Sequence, residues 1–119
     1  MLTKEFAEHF AADWVASWNA HDMERILAHY TDDFEMSSPI IAQVANEPGG
    51  VLKGKAAVGA YWRKALEKFP DLKFELEGVY TGAISIVLTY TNVTRGVKVA
   101  ELFYFNAEGK VYRAAGNYQ

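Results

Sequence analysis

The sequence predicts an α+β fold in which three N-terminal helices pack on a strongly curved antiparallel sheet and enclose a largely apolar cavity. Three observations predict it. Phe6, Phe10, Trp14 and Trp18 recur at every fourth position, which draws one aromatic stripe along a helix. The second half of the chain is a succession of strand-like runs separated by glycine-bearing turns, in the order of a meander. Half of the 119 residues are hydrophobic and 14% are aromatic, so a substantial core can be buried and the disordered classes are excluded. Helices placed before a meander cover one face of its sheet. A curved sheet cannot touch them everywhere, and the remainder is a cavity.

The first helix is expected over residues 3–19, with Thr3 as N-cap. Asn19-Ala20-His21 breaks its pattern. Asp22 then caps a second helix to about residue 29, burying Met23, Ile26, Leu27 and Tyr30, and Thr31-Asp32-Asp33 stops it. Residues 34–38 read as a short strand ended by Pro39, whose ring removes a ladder donor. An irregular crossing over 40–53 contains the turn cluster Glu47-Pro48-Gly49-Gly50 and a short strand at Val51-Leu52-Lys53. Gly54 leads a third helix over 55–69, apolar through Val58, Tyr61, Trp62, Ala65, Leu66 and Phe69, and Pro70 ends it.

Residues 71–81 alternate through Leu72, Phe74 and Leu76. Gly82 turns into 83–93, which is apolar on both parities and is therefore expected to be covered on both faces. A turn over 92–96 leads to 97–105, Asn106-Ala107-Glu108-Gly109 turns again, and 110–118 closes the chain. No repeat or linker divides the chain, so one domain over 1–119 is expected.

The formal charge is −3 and the twelve Lys and Arg are scattered, so there is no basic stripe and no nucleic-acid partner is expected. The absence of cysteine removes disulfides, thiolate nucleophiles and cysteine metal sites together. No apolar run approaches a membrane span, and the charged, amphipathic start Met1 to Phe6 does not read as a secretory signal. No membrane partner and a cytoplasmic location are the expectations. The three histidines match neither His-x-x-x-His nor Glu-x-x-His spacing, and no phosphate loop, dinucleotide fingerprint or Gly-x-Ser-x-Gly elbow is present. No metal and no cofactor are expected. His9 and Asp13, four apart, can pair on one helix side, although a solvated flank is the simpler reading. His21, beside Asp22, reads most simply as part of a cap, and His29 can face core or solvent.

One residue breaks the apolar pattern. In 97–105 the more apolar parity is Val97, Val99, Glu101, Phe103 and Phe105, with Glu101 in its middle. A carboxylate buried without a partner costs several kcal/mol or takes up a proton. That cost suits an acid, a base or a polar anchor. Two plainer readings stand beside this one: a solvent-exposed face, or pairing with Arg or Lys of a neighbouring strand.

The run Trp18-Asn19-Ala20-His21-Asp22, followed by His29-Tyr30-Thr31-Asp32-Asp33-Phe34, resembles the nuclear transport factor 2-like superfamily, nearest its SnoaL-like and ketosteroid isomerase-like branch. Leu52-Lys53-Gly54-Lys55 is similar to that family's glycine-led third helix, and residues 103–111 to its closing hairpin. The resemblance implies a cystatin-like cone, a bent sheet with a mixed edge wrapped over helices. It further implies a ligand cavity and a homodimer through the outer sheet face, where Leu102 and Tyr104 lie. Carried over residue by residue, the isomerase's protonated oxyanion carboxyl falls on Glu101, its oxyanion tyrosine on Trp14, and two supporting tyrosines on Tyr30 and Trp62. The base falls on Ser38, and serine cannot serve as that base. The implied cavity is lined by Trp14, Tyr30, Trp62, Val99, Glu101, Phe103 and Tyr118, with Ser38 near its mouth. The implied partner is a small, flat, apolar ligand, with Glu101 as polar anchor or as acid–base group for isomerase-, cyclase- or hydrolase-type proton transfer. A non-catalytic scaffold with a vestigial cavity is the alternative.

Overall fold

A computed structural model describes residues 2–119. The chain runs α1 (Lys4–Asn19), α2 (Met23–Leu27), β1 (Tyr30–Ser37), α3 (Pro39–Val44), β2 (Val51–Lys53), α4 (Lys55–Lys68), β3 (Phe74–Thr81), β4 (Ser85–Asn92), β5 (Val97–Phe105) and β6 (Val111–Tyr118). The six strands form one curved sheet in the order β2-β1-β6-β5-β4-β3. Every pairing is antiparallel except β1 with β6, which is parallel and gives the mixed edge. Register shifts in β1, in β3 and near the end of β5 mark bulges, which bend and twist a sheet locally.

The aromatic stripe of α1 faces the concave side. Phe10, Trp14 and Trp18 are buried and Phe6 packs at the rim, its ring edge-on to Phe105 at 5.5 Å. The Thr3 hydroxyl accepts from the Phe6 N–H at 3.0 Å and so caps the helix as expected. At the other end Asn19 clamps the helix to the sheet. Its Nδ2 donates to the Phe74 carbonyl at 3.0 Å, and its Oδ1 accepts from the Phe74 N–H at 2.8 Å. Gly54, at φ 91, turns the chain into α4 in a conformation that a side chain would strain.

Several local expectations need correction. Among the described residues there are four helices, because Pro39–Val44 is helical where an irregular crossing was expected. The reason is local: Pro39 pre-sets the first turn, and the Ser38 hydroxyl accepts from the Ile40 N–H at 3.1 Å. Helix α2 stops at Leu27 and Tyr30 opens β1, so Thr31, Asp32 and Asp33 belong to a strand. They sit where the β1–β6 register shifts, with Asp32 and Asp33 exposed. Strand β3 begins only at Phe74, after a loop that buries Leu72. In β4 only Ile86, Leu88 and Tyr90 are buried; Val87 and Thr89 on the other face are half-exposed, because helices cover one side of the sheet. No helix among the described residues is long and apolar enough to cross a membrane.

The Asn19 clamp generates a test of how α1 is held. Asn19→Ala leaves both Phe74 peptide groups without their side-chain partner, and we expect a loss of about 2 kcal/mol in chemical denaturation. An unchanged midpoint would show that the aromatic stripe alone seats the helix.

Candidate functional site

Glu101 lies on the inner face of β5, 4% exposed, with Val99 and Phe103 beside it on the same face. The register sets Leu88 of β4 and Gly116 of β6 directly opposite it. Tyr90, two residues further along β4, reaches the carboxyl diagonally, and its hydroxyl donates to Oε1 at 2.7 Å. That is the one hydrogen bond the Glu101 carboxyl makes among the described residues, and none of their ion pairs includes it. Both plainer readings are thereby set aside: the face is buried, and no Arg or Lys pairs with the acid.

Burial without a cation decides the electrostatics. Desolvation pushes the Glu101 carboxyl up to about 7, against the opposing pull of the Tyr90 donor. The Tyr30 and Tyr90 phenols are pushed well above their ordinary range, chiefly by burial and then by the Glu101 charge. Tyr61 rises to about 12, again by burial first, with Arg95 opposing and Glu101 adding. Tyr118 keeps 38% of its surface exposed. Its hydroxyl is the deeper end, and burial followed by the Glu101 charge raises it as well. Four phenols thus share the field of one carboxyl.

The remaining expected residues surround this group. The Trp14 indole N–H donates to the Tyr30 hydroxyl at 2.9 Å, both residues being almost wholly buried. Tyr30 therefore accepts, and its own proton has no acceptor among the hydrogen bonds of the described residues. Val99 stands opposite both Tyr90 and Tyr118. Phe103 meets Phe10 and Trp14 edge-on at 5.0 and 5.3 Å. Trp62 contacts Tyr30 and Trp18 at 5.4 and 5.2 Å, so it joins the cluster through rings. The Ser38 hydroxyl caps α3 and lies 3.4 Å from the Tyr118 hydroxyl. Gly116 leaves room for that phenol, since a Cβ there would sit 3.0 Å from the Tyr118 oxygen.

Two clefts open at the surface. One, of about 500 Å3, is walled by Asn19, His21, Pro70 and Leu72; the other, of about 290 Å3, is walled by Ser38, Pro39, Gly50 and Gly116. Neither is lined by Glu101, and of the expected lining residues Ser38 alone borders one of them. The Phe74 ring packs 4.6 Å from Tyr90 and 5.8 Å from Trp14 between centroids. The Trp18 Nε1 is fully buried without a hydrogen-bond partner, its ring edge-on to Trp62.

Sequence reasoning missed Tyr90 and Tyr61. The turn at 92–96 pairs Asn92 with Val97, and counting back from that pair puts Tyr90 opposite Val99, on the same face as Glu101 and diagonal to it. Tyr61 carries no such local signal. The histidines stand apart from the acid. Asp13 pairs with Arg25 at 2.6 Å and with His29 at 2.8 Å rather than with His9, and the Arg25 hydrogen bond chiefly holds its carboxyl low. His21 Nε2 meets the Leu72 carbonyl at 2.8 Å. No cluster of three or more His, Asp or Glu among the described residues could hold a metal.

Residues 11–116 match the sequence profile of the SnoaL-like domain. A SnoaL-like protein of unknown function from Burkholderia thailandensis is 45% identical, with 98% of this chain and 97% of that one covered and a TM-score of 0.96. AclR, a candidate hydroxylase from Streptomyces galilaeus, superposes with a TM-score of 0.75 at 18% identity over 98% of this chain and 91% of its own. A candidate isomerase of the SnoaL-like family from Agrobacterium tumefaciens gives 0.74 at 18% identity, over 97% and 98%. At 18% identity the last two share the fold. No curated protein matches the chain.

The Glu101 carboxyl makes stability depend on pH. Its folded value of about 7 lies above the ordinary 4.5 that serves for the unfolded chain. Below that lower value both states are protonated and nothing is lost. As pH rises, the unfolded chain releases its proton first, so stability falls until about pH 7 and then levels off. We expect wild type to lose on the order of 3 kcal/mol relative to Glu101→Gln across this window in denaturation at stepped pH. Parallel curves for the two proteins would refute the raised value.

Proposed function

The chain belongs to the SnoaL-like domain family, and from that premise we propose that it binds a small, flat, largely apolar molecule and moves a proton on it with Glu101. One observation carries this reading: a buried carboxyl with no cation partner, pushed up to about 7 by burial and accepting from the Tyr90 hydroxyl. Such a group is present in both protonation states at neutral pH. The carboxylate takes a proton from a carbon next to a carbonyl, and the resulting acid returns it to another atom, as isomerisation and ring closure both require. Charge that develops on the carbonyl oxygen is met by a phenol whose proton is uncommitted. Tyr30, polarised by the Trp14 N–H, is that group. Ser38 supplies no base; its hydroxyl caps α3 and supports Tyr118. A ligand reaches the acid by displacing two outer rings, the half-buried Tyr61 and the exposed Tyr118.

A second reading has its own observation, that neither cleft is lined by Glu101. On that reading the packed cone is a scaffold. Both readings include our proposal of a homodimer through the outer sheet face, where Leu102 and Tyr104 are half-exposed.

A panel of neutral aromatic and terpenoid-like ketones separates the two. We expect wild type to bind at least one ketone in a thermal-shift screen and to catalyse deuterium exchange at the carbon beside its carbonyl. Exchange should drop by at least about 100-fold in Glu101→Gln. Binding with no exchange above the buffer rate would leave a binding scaffold, and no binding at all would leave a vestigial site. For the outer face, sedimentation is expected to show a dimer at micromolar concentration that Leu102→Lys splits. A wild-type monomer would end the dimer proposal.

A further inference from the structure

Strand β1 leaves the sheet after Ser37, whose partner on β6 is Ala115, while β6 runs on to Tyr118. The cleft of about 290 Å3 opens in this fork, between Ser38 and Pro39 on one side and Gly116 and Asn117 on the other. Gly116 has two roles there. It walls the cleft, and across the β5–β6 ladder it is the direct partner of Glu101, so the two share the inner face. With no side chain, it adds nothing to the wall between the cleft and the acid. What covers it is the Tyr118 phenol, whose oxygen would lie 3.0 Å from a Cβ at position 116.

That phenol is loosely held. It keeps 38% of its surface exposed, and none of the ring-to-ring contacts among the described residues includes it. Its oxygen accepts from the Ser38 hydroxyl at 3.4 Å, a long bond. The backbone beneath it is fixed, because Tyr118 pairs with Val99 and the next N–H, of Gln119, donates to the Lys98 carbonyl at 3.1 Å. The ring therefore leaves by side-chain rotation alone. Tyr90, by contrast, is buried against Trp14 and Phe74 and committed to Glu101. Resting on the pocket reading above, we propose that the Tyr118 phenol occupies the ring subsite of the ligand. The ligand is then a neutral molecule with a single six-membered ring and an oxygen at its outer end. It displaces the phenol from Gly116 and takes over the Ser38 donor. A cleft of this volume is at the low end of small-molecule sites and suits one ring better than a fused system. Ser38 and Gly116 determine specificity, and the proton chemistry stays with Glu101.

Truncation supplies the test, because Tyr118→Ala opens a slot shaped for p-cresol, the side chain it removes. The probes are p-cresol and toluene, titrated separately and followed by NMR. We expect Tyr118→Ala to bind p-cresol at least about tenfold more tightly than wild type, where the phenol holds the slot shut most of the time. Binding should move the carbon signal of the Glu101 carboxyl, identified by its loss in Glu101→Gln. In wild type, p-cresol at higher concentration should shift the Tyr118 ring signals as it displaces them. Tyr118→Ala should prefer p-cresol to toluene about fivefold, and adding Ser38→Gly, a change that an N-cap tolerates, should erase that preference. Adding Gly116→Val instead should abolish binding by filling the slot. The Tyr118 inference falls if Tyr118→Ala binds p-cresol no better than wild type, or binds it without moving the Glu101 signal. The pocket reading survives that result if wild type still exchanges a ketone of the panel above. Equal affinity for toluene and p-cresol overturns the oxygen requirement and the role of Ser38. If p-cresol fails to bind Tyr118→Ala and no ketone binds wild type, both readings fall.

Discussion

An ionisable carboxyl on the apolar face of a strand must be given donors, given a counter-charge, or kept protonated, and the inner half of this molecule is arranged around that constraint. Glu101 has one donor, Tyr90, and no counter-charge. The proton is therefore held up to about neutrality, and the surrounding polar groups are phenols and indoles, which can meet a carboxyl without ionising. Each of these rings also serves as packing. Trp14 covers Tyr90 and Phe103 while its N–H fixes the Tyr30 hydroxyl, so one side chain of α1 seats the helix on the sheet and orients a donor of β1. Stability and site geometry are consequently carried by the same contacts.

The legible part of this arrangement follows local periodicity. The stripe of α1 and the alternation of β5 are set by residues within one element, so the helix, its Thr3 cap and the misplaced acid can be read directly. The parts that cannot be read are of two kinds. Helix α3 is six residues long, too short for any period, and only the Ser38-Pro39 start betrays it. Tyr90 needs the register of two strands, and Tyr61 needs the placement of α4 over the sheet, neither of which exists in a single element. The resemblance to the family supplied the cone and the neighbourhood of Trp14, Tyr30 and Glu101. It did not supply the ring-to-ring packing, in which Trp14 meets Phe74, Tyr90 and Phe103.

The phenols also order the site by depth. Tyr30 and Tyr90 are sealed, Tyr61 is half-buried, and Tyr118 stands partly in solvent above Gly116 and against Ser38. A fold that can host several chemistries leaves selectivity to such placements, because the backbone frame is shared and the side chains are not.

The parallel pairing of β1 with β6 has a consequence for how the chain reaches this state. Met36 lies beside Ala114, so the sheet joins an early strand to the last one, across most of the chain. Such closure is entropically late and favours slow folding. On the ribosome, the aromatic stripe of the first helix emerges well before the strands that cover it. Until β3, β4 and β5 are released, Trp14 and Trp18 lack the rings of Phe74, Tyr90 and Phe103 that cover them, and apolar surface left open in this way favours association.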